Sequence, residues 1–353
     1  MKTRTFLKTV LSALVLVCFL VVSNALAETA TQATALEKKL YQAAKAEGKL
    51  LYWDSLPLKE AALFIKAFNE KYPGIEMVFW EASNDTSENK YFAERQAGKT
   101  SVDVISIESY DKYKKEGLLT DLSDIIKDTD FPRVFCPKSL DAVATEHSIK
   151  GAAYNTKLIS PKDAPKSWED LLDPRWKGKI ALEIGMDPFV LLTKTWGEEK
   201  INTYLRRLRE QNPTFQKGST NAMTLLGAGE YPLVINVLLH RTLDMIEKGT
   251  PVAWLPVNPV ADYINPLSAV KDAPHPNAAK LYLRWLMSAE GRAMVEKIRK
   301  KGSPLPGSGT KQSKELERLG VKVVVVPSWE VDFRGLQANY QKIVGFSKPT
   351  KKK

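Results

Sequence analysis

The sequence predicts an α/β protein built as two lobes. Between residues 35 and 107 an amphipathic helix is followed by strands and helices in alternation, with short connections. This order is typical of a largely parallel sheet whose loops gather at the carboxyl ends of the strands, where ligands bind. The roughly 326 residues that follow an N-terminal leader exceed what one hydrophobic core usually supports. Outside the leader only Cys136 is present, so packed cores and not disulfides must stabilise the chain.

The N-terminal segment has the pattern of an export signal. Three basic residues precede an apolar run at 10–22, and Ala25-Leu26-Ala27 places small residues where signal peptidase requires them. The run is shorter than the ~20 residues that a membrane span needs. We therefore expect a signal peptide at 1–27, cleavage near Ala27, and a soluble, released protein that does not insert into a membrane after cleavage.

Charge and motifs exclude several classes of protein. Loss of the leader reduces the formal net charge from +11 to about +8. The excess is scattered apart from a few short patches such as 299–301 and a basic C-terminal tail at 346–353, which we expect to be disordered. No basic stripe is interleaved with aromatic residues, so we expect no nucleic-acid partner. The sequence contains no zinc-ligand spacing, phosphate-binding glycine loop or nucleophile elbow, and we expect no cofactor.

In the first part of the chain, turn residues separate the predicted elements. Gly48 and Gly98 end two helices, and the string KYPGI at 71–75 turns the chain into a strand. Apolar residues recur at helical spacing in the helices and form short runs in the strands. The predicted elements are helix 35–47, strand 49–53, helix 59–71, strand 76–81, helix 89–97 and strand 103–107.

The middle of the chain begins with a strand near 152–154 that leads into a second lobe. Ser167 is the predicted cap of a short helix, and Asn277 is the predicted cap of a later one with a core-facing stripe. The loops 183–189 and 216–221 each lead to a helix N-terminus, where backbone N–H groups suit an anion. The other predicted elements are strand 180–183, helix 222–226, strand 231–236, helix 237–248, the proline-rich second crossing 256–266, strand 321–326 and helix 333–344.

Seven short strings occur in a fixed order: KEA after the first strand, KYPGI, AGK before a DV strand, EGLLTDL, YNTKL, LGAGEYPLVIN and APHPNAAKLYLRWLMSAEG. With P-x-SWEDLLDPRWKGKIAL at 165–182, they resemble the periplasmic solute-binding proteins of ABC importers, in the branch of ferric-ion-binding and related small-ligand-binding proteins. The resemblance implies the type II periplasmic-binding architecture, with two Rossmann-like lobes joined by crossing strands that hinge together over one ligand. It implies a periplasmic monomer whose partners are a small-molecule solute, an ABC permease and its ATPase. The expected division is 28–152 and 257–300 for lobe 1, with 153–256 and 301–345 for lobe 2.

The candidate ligand-binding residues lie where predicted strands end or in the loops that follow. Glu108 and Asp187 would pair with an amine, whereas Arg241 would bind an organic acid through two parallel hydrogen bonds. Because these two possibilities imply solutes of opposite charge, the charge of the solute stays open. Structural alternatives also exist, with Asp187, Ser219 and Thr220 as helix caps and Arg241 as a solvated helix residue. The full set is Trp53, Ser55, Glu108, Ser109, Tyr154, Asp187, Ser219, Thr220, Asn236 and Arg241.

The sequence departs from the ferric members of the branch. Leu238 and Leu239 stand where the resemblance places two iron-binding tyrosines, and Leu58 stands where it places a histidine. Glu108 matches the family carboxylate, but a single carboxylate does not hold ferric iron. We therefore expect no metal site and no enzymatic activity. A ferric-iron-binding protein is one alternative, and a secreted enzyme that uses Glu108 and Asp187 as acid and base is another.

Overall fold

The computed structural model describes residues 35–346. The predicted leader and the predicted tail beyond residue 346 lie outside the described residues. Phe346, the first residue of that tail, packs on Phe215 with ring centroids 5.4 Å apart. Among residues 35–346, none of the helices combines the length and the apolar character needed to cross a membrane.

Two sheets and the helices that flank them form the two lobes, which confirms the predicted fold class. The first part of the chain contains α1 (35–47), β1 (Lys49–Asp54), α2 (Leu58–Lys71), β2 (Glu76–Glu81), α3 (Asn84–Gln96), β3 (Val104–Ser106), α4 (Tyr110–Lys115) and α5 (Ser123–Ile126). The middle contains β4 (Ser148–Asn155), β5 (Ile180–Glu183), α6 (Asp187–Trp196), α7 (Glu198–Glu210), β6 (Thr214–Gln216), α8 (Ser219–Ala228), β7 (Leu233–Leu238), α9 (Leu239–Glu247), β8 (Val252–Trp254) and β9 (Val260–Ile264). The last part contains β10 (Leu267–Ala269), α10 (Pro276–Met287), α11 (Ala289–Arg299), α12 (Lys311–Leu319), β11 (Val323–Pro327) and α13 (Phe333–Val344).

Strand pairing explains where the loops meet. The first sheet has the order β10-β3-β1-β2, with β1 parallel to both β2 and β3. The second has the order β11-β9-β4-β7-β5-β6, with β8 paired to β4. All four residues of β5 are buried, as expected for a strand covered on both faces. In both sheets the parallel strands end at one edge, so the loops after β1, β3, β5 and β7 lie at these edges.

Two segments cross between the sheets. Val143 bridges Leu267 beside the first sheet, and β4 then begins at Ser148 and pairs with β9 in the second. At the crossing His147 Nδ1 lies 2.7 Å from Asp262 Oδ2, and both side chains are buried. Because β4 and β9 pair entirely within the second sheet, we propose lobe boundaries near 148 and 265 in place of 152/153 and 256/257.

A third connection runs near the C-terminus, and we call residues 328–332 the strap. It joins β11, which pairs with β9, to α13, which packs on α6 and α7. On the way it touches the first lobe, where Trp329 packs on Tyr110 with ring centroids 5.7 Å apart. Just beyond it, Arg334 forms an ion pair with Asp85. The strap therefore bridges the two lobes on one side of the cleft.

Some helix starts differ from the prediction because of capping contacts. α3 begins five residues before the predicted start at 89, since the Ser83 hydroxyl accepts the Thr86 N–H (3.3 Å). Asn277 is not the cap of α10. Instead the Glu47 carboxylate of α1 accepts the backbone N–H groups of Asn277 (3.1 Å) and Ala278 (2.8 Å), and so places an anion at the positive end of that helix.

Candidate functional site

The cleft between the lobes has two connected parts of opposite charge. We call the part beside α9 the basic half and the part beneath the strap the acidic half; their volumes are about 530 Å³ and 1030 Å³. Asp187 and Tyr263 line both halves. The basic half is lined by Glu60, Ser148, Lys150, Asp187, Leu238, His240, Arg241, Asp244, Lys248, Tyr263 and residues 298–301. The acidic half is lined by Asp85, residues 108–112, Asp187, Tyr263, residues 328–334, Gln337, Ala338 and Gln341.

A buried carboxylate network forms the wall of the second lobe. Glu183, at the carboxyl end of β5, accepts the N–H groups of Gly185 (2.9 Å) and Gly218 (3.2 Å). The Asn236 amide donates both to Glu183 and to Asp187 Oδ2 (2.9 Å). Burial is the main cause of the raised pKa of Glu183. The hydrogen bond from the Gly185 N–H opposes this rise, and the nearby Asp187 charge adds to it. The network joins the two predicted anion-binding loops to one internal carboxylate.

Backbone geometry places two members of this network. The register of β7 against β4 shifts between Gly151 and Ala152, so Asn236 has no partner across the pair and lies at φ 70°. The shift turns a polar residue toward the carboxylates at the end of a buried strand. Gly185 is required by close approach, because a Cβ there would lie 2.4 Å from Asp187 Oδ2.

A second buried glutamate accepts backbone N–H groups of a loop in the first lobe, as Glu183 does in the second. Glu88 of α3 accepts the N–H groups of Glu108 (2.7 Å) and Ser109 (2.9 Å), together with the Ser109 hydroxyl (2.7 Å). Each lobe therefore satisfies the amides of its cleft-facing loop with an internal carboxylate. These backbone N–H groups are already hydrogen-bonded within the protein, so side chains are left to line the cleft.

Glu108 and Asp187, predicted as a pair, face the cleft from opposite lobes. Partial burial is the main cause of the raised pKa of Glu108; Asn84 Nδ2 (2.9 Å) opposes it and Glu88 adds to it. No cation among residues 35–346 forms an ion pair with Glu108. The pKa of Tyr263 is raised by burial and then by Glu108 and Asp187, which places its hydroxyl within the field of both. Asp187 is also held by Lys150, with Nζ 3.2 Å from Oδ1.

The basic half contains one exposed arginine without a partner. Arg241 lines it, and its side chain has no hydrogen bond or ion pair within the described part of the chain. The adjacent His240 is buried, and its Nδ1 has no hydrogen-bond partner within residues 35–346. Burial, together with the nearby positive charges of Lys301, Arg241 and Arg299, lowers the pKa of His240 to about 3. The imidazole is therefore neutral at ordinary pH.

The other cations of the basic half are paired. Asp244 bonds to Lys248 (2.6 Å) and to Lys300. Glu146 bonds to Arg299 (2.8 Å) and Lys301 (2.9 Å). Because Asp244 and Glu146 each pair with two cations, this half keeps an excess of positive charge.

Several predicted ligand-binding residues lie elsewhere. Trp53 is buried beneath α3, with its ring 4.8 Å from that of Trp80, and Tyr154 belongs to the core of the second lobe. Ser55 is exposed beside Asp54. Ser219 and Thr220 are the first two residues of α8, whose N-cap is Gly218. Neither therefore makes the predicted capping hydrogen bond. Neither lines the cleft. Of the predicted residues, the cleft is lined by Glu108, Ser109, Asp187 and Arg241, whereas Asn236 is fully buried and bonded to Asp187.

Sequence reasoning missed the residues that support these five. Glu183 and Glu88 were not candidates because a glutamate in a strand or helix gives no signal of where its carboxylate points. Lys150 had a weak signal, as a charge just before the apolar crossing strand.

Metal ions in proteins are bound by ligand groups that lie close together. Within residues 35–346, no three His, Cys, Asp or Glu side chains are grouped so that they could hold a metal ion. Leu238 lines the basic half and Leu239 is buried in the core.

Comparison with known proteins places this geometry among solute receptors. A family model described as bacterial extracellular solute-binding protein matches residues 55–293. A candidate 2-aminoethylphosphonate-binding periplasmic protein of Salmonella typhi is 26% identical over 194 residues, which are 50% of this chain and 55% of that protein. An uncharacterized Haemophilus influenzae protein is 26% identical over 159 residues, 42% of this chain and 46% of that one. The chain thus spans about half the length of the curated relatives that it matches.

Solved structures show the fold. Iron-bound HitA from Pseudomonas aeruginosa superposes with a TM-score of 0.64 at 20% identity, covering 84% of this chain and 99% of that one. AfuA from Actinobacillus pleuropneumoniae, with fructose-6-phosphate bound, gives 0.61 at 21% identity, with coverage of 85% and 99%. These neighbours confirm the predicted type II periplasmic-binding architecture.

Proposed function

The chain belongs to the bacterial extracellular solute-binding protein family, and from this premise we propose that it is the solute-binding component of an ABC importer. It captures a small polar organic solute in the cleft and delivers it to a membrane permease driven by a cytoplasmic ATPase. The observation that carries the proposal is the cleft itself, which side chains of both lobes line: Glu108 of the first, Arg241 and His240 of the second. Among residues 35–346, neither Glu108 nor Arg241 has an ion-pair partner.

The periplasm is the proposed location. The extracellular family and the periplasmic relative from Salmonella typhi support it, and the export-signal pattern at 1–27 agrees.

An organic solute fits the cleft better than ferric iron. Leu238 offers no oxygen ligand, and the amides of the strand-end loops already bind Glu88 and Glu183. The relative named for 2-aminoethylphosphonate supports a solute that carries both an amine and an acid.

A thermal-shift screen of the ligand-stripped protein tests this function. The panel contains 2-aminoethylphosphonate, phosphate esters, amino acids, polyamines, carboxylates, and ferric and divalent metal ions. A ligand present at 1,000 times its Kd stabilises the folded state by about 4 kcal/mol, which shifts the midpoint clearly. We expect a shift with an organic class. A shift with ferric ion alone, or no shift with any compound, would contradict the proposal.

A further inference from the structure

Charge counting in the basic half points to a doubly charged anion. Its lining contains six cationic side chains: Lys150, Arg241, Lys248, Arg299, Lys300 and Lys301. Three lining carboxylates, Glu60, Asp187 and Asp244, oppose them, and Glu146 bonds to two of the six from just outside. Two positive charges are left, whereas a carboxylate solute would neutralise one.

One cation of the basic half awaits a partner. Among the described residues Arg241 is exposed and unpaired, and a guanidinium binds phosphoryl oxygens through two parallel hydrogen bonds. His240 lines the same space but is 7% exposed, and its Nδ1, which has no hydrogen-bond partner within residues 35–346, is itself closed off from the cleft. The imidazole therefore forms part of the wall, and Arg241 is the group that points to an anion.

The acidic half has the opposite imbalance. It is lined by six carboxylates, Asp85, Glu108, Asp111, Asp187, Glu330 and Asp332, and by two cations, Lys112 and Arg334. Arg334 is paired with Asp85, Lys194 forms an ion pair with Glu330 from just outside, and Lys112 lies over the Phe92 ring. Within residues 35–346, Glu108 accepts a hydrogen bond from the neutral amide of Asn84, and no cation forms an ion pair with it. A cationic group placed there would pair with an exposed carboxylate.

We propose that the solute is a dipolar molecule with a phosphonate or phosphate-monoester dianion in the basic half, held by Arg241, and an ammonium group in the acidic half, facing Glu108. This assignment rests on the proposed function and names its substrate class. Asp187 and Tyr263 line both halves, so the two halves meet at these residues.

Isothermal titration calorimetry with matched compounds tests the assignment. The probes are 2-aminoethylphosphonate and phosphoethanolamine, which carry both charges; ethylphosphonate and ethylamine, which carry one kind each; and β-alanine, whose acid is singly charged. We expect at least one of the two dipolar phosphoryl compounds to bind at least about tenfold more tightly than each of the other three. Comparison of the phosphonate with the phosphate ester then identifies the source of the dianion.

Variants separate the two ends. Arg241→Gln should weaken the dipolar compound and ethylphosphonate by a similar factor of at least about ten. Glu108→Gln should weaken the dipolar compound while leaving ethylphosphonate unchanged. Arg206→Gln and Glu116→Gln, exposed changes of the same kind outside the cleft, should leave every affinity at the wild-type value.

The results distinguish this inference from the proposed function. Equal affinity for β-alanine and the dipolar phosphoryl compounds, or equal losses of ethylphosphonate affinity in Arg241→Gln and Glu108→Gln, would overturn the substrate class alone. Tight binding of a different organic class would do the same and leave the solute receptor intact. Failure of every organic compound in the wider panel would overturn both.

Discussion

At the scale of single residues, two buried glutamates hold the loops that face the cleft. Glu183 binds the amides of two loops of the second lobe, and Glu88 binds two amides of the first. Helix and strand ends of this kind often hold an anionic ligand by backbone N–H groups. Here internal carboxylates take that place, and the loops are held in position before any solute arrives.

Replacing Glu183 should therefore destabilise the protein. Glu183→Ala leaves the Gly185 and Gly218 amides and the Asn236 side chain short of an acceptor, and we expect the free energy of unfolding to fall by about 2–4 kcal/mol. Urea unfolding measures it, with Glu210→Ala, an exposed helix residue, as the control that should change by less than about 0.5 kcal/mol. Equal effects of the two variants would show that the network carries no stability.

The titration of His240 makes the folding stability depend on pH, in a direction that its lowered pKa determines. Its pKa in the folded protein is lowered to about 3, while in the unfolded chain it is about 6.5. Below pH ~6.5 the unfolded chain therefore binds a proton that the folded protein does not, so stability is complete above that pH and falls as the pH decreases toward 3.

Unfolding of the solute-free protein at pH 6.5 and pH 4.5 measures this effect. We expect His240→Gln to lose about 2 kcal/mol less than the wild type between these two pH values. An identical loss in both proteins would mean that His240 is protonated in the folded state.

At the scale of elements, the strap is the feature that sequence patterns do not reveal. Trp329 is half-buried and packs on Tyr110 of the first lobe, although the strands and helices on either side belong to the second. The neighbouring pair Arg334–Asp85 is exposed. Apolar packing, and not this ion pair, should therefore hold the strap.

Two strap variants test that ranking. We expect Trp329→Ala to lower the free energy of unfolding by about 1–3 kcal/mol, because a large aromatic contact is removed. Arg334→Ala should change it by less than about 0.5 kcal/mol, since exposed ion pairs contribute little. Thermal unfolding gives both values, and hydrogen exchange of residues 328–332 should accelerate in the tryptophan variant only. A larger loss of stability in Arg334→Ala than in Trp329→Ala would show that the ion pair, and not apolar packing, holds the strap.

Elements with strong local patterns were predictable and those set by distant contacts were not. Strand 180–183 and helix 333–344 match the prediction because an apolar run and a helical stripe define them. α10 begins where Glu47, which is 230 residues away in the sequence, accepts its first free N–H groups. The bulge at Asn236 likewise depends on pairing with β4, more than 80 residues earlier in the sequence.

At the scale of the whole molecule, the lobes depend on the pairing of the two crossing segments. His147 and Asp262 contact each other where those segments meet, and Asp262 is fully buried. His147→Ala leaves a buried carboxylate without its partner, and we expect a loss of about 3 kcal/mol.

A double-mutant cycle isolates that contact. The variant His147→Ala with Asp262→Ala should be less destabilised than the sum of the single variants, because neither then leaves a buried charge unpaired. Chemical unfolding of the four proteins gives the coupling free energy. Simple additivity would mean that the pair does not contribute to the junction.

The candidate site was predictable only in part. Glu108, Asp187 and Arg241 could be identified because charged residues follow strands at the binding edge of each sheet. Trp53 and Tyr154 also occur near strand ends, yet the side-chain alternation of each strand turns them into the cores. The separation of the cleft into halves of opposite charge arises from residues far apart in the sequence, such as Arg299 and Lys150, and could not be predicted from either alone.

The most direct test of the central claim is a crystal structure of the protein with the tightest-binding solute of the panel. We expect density that spans the two halves of the cleft, with phosphoryl oxygens within about 3.2 Å of the Arg241 guanidinium and the ammonium group facing Glu108. Density for the solute outside the cleft, or in the cleft without contact to either residue, would contradict the account.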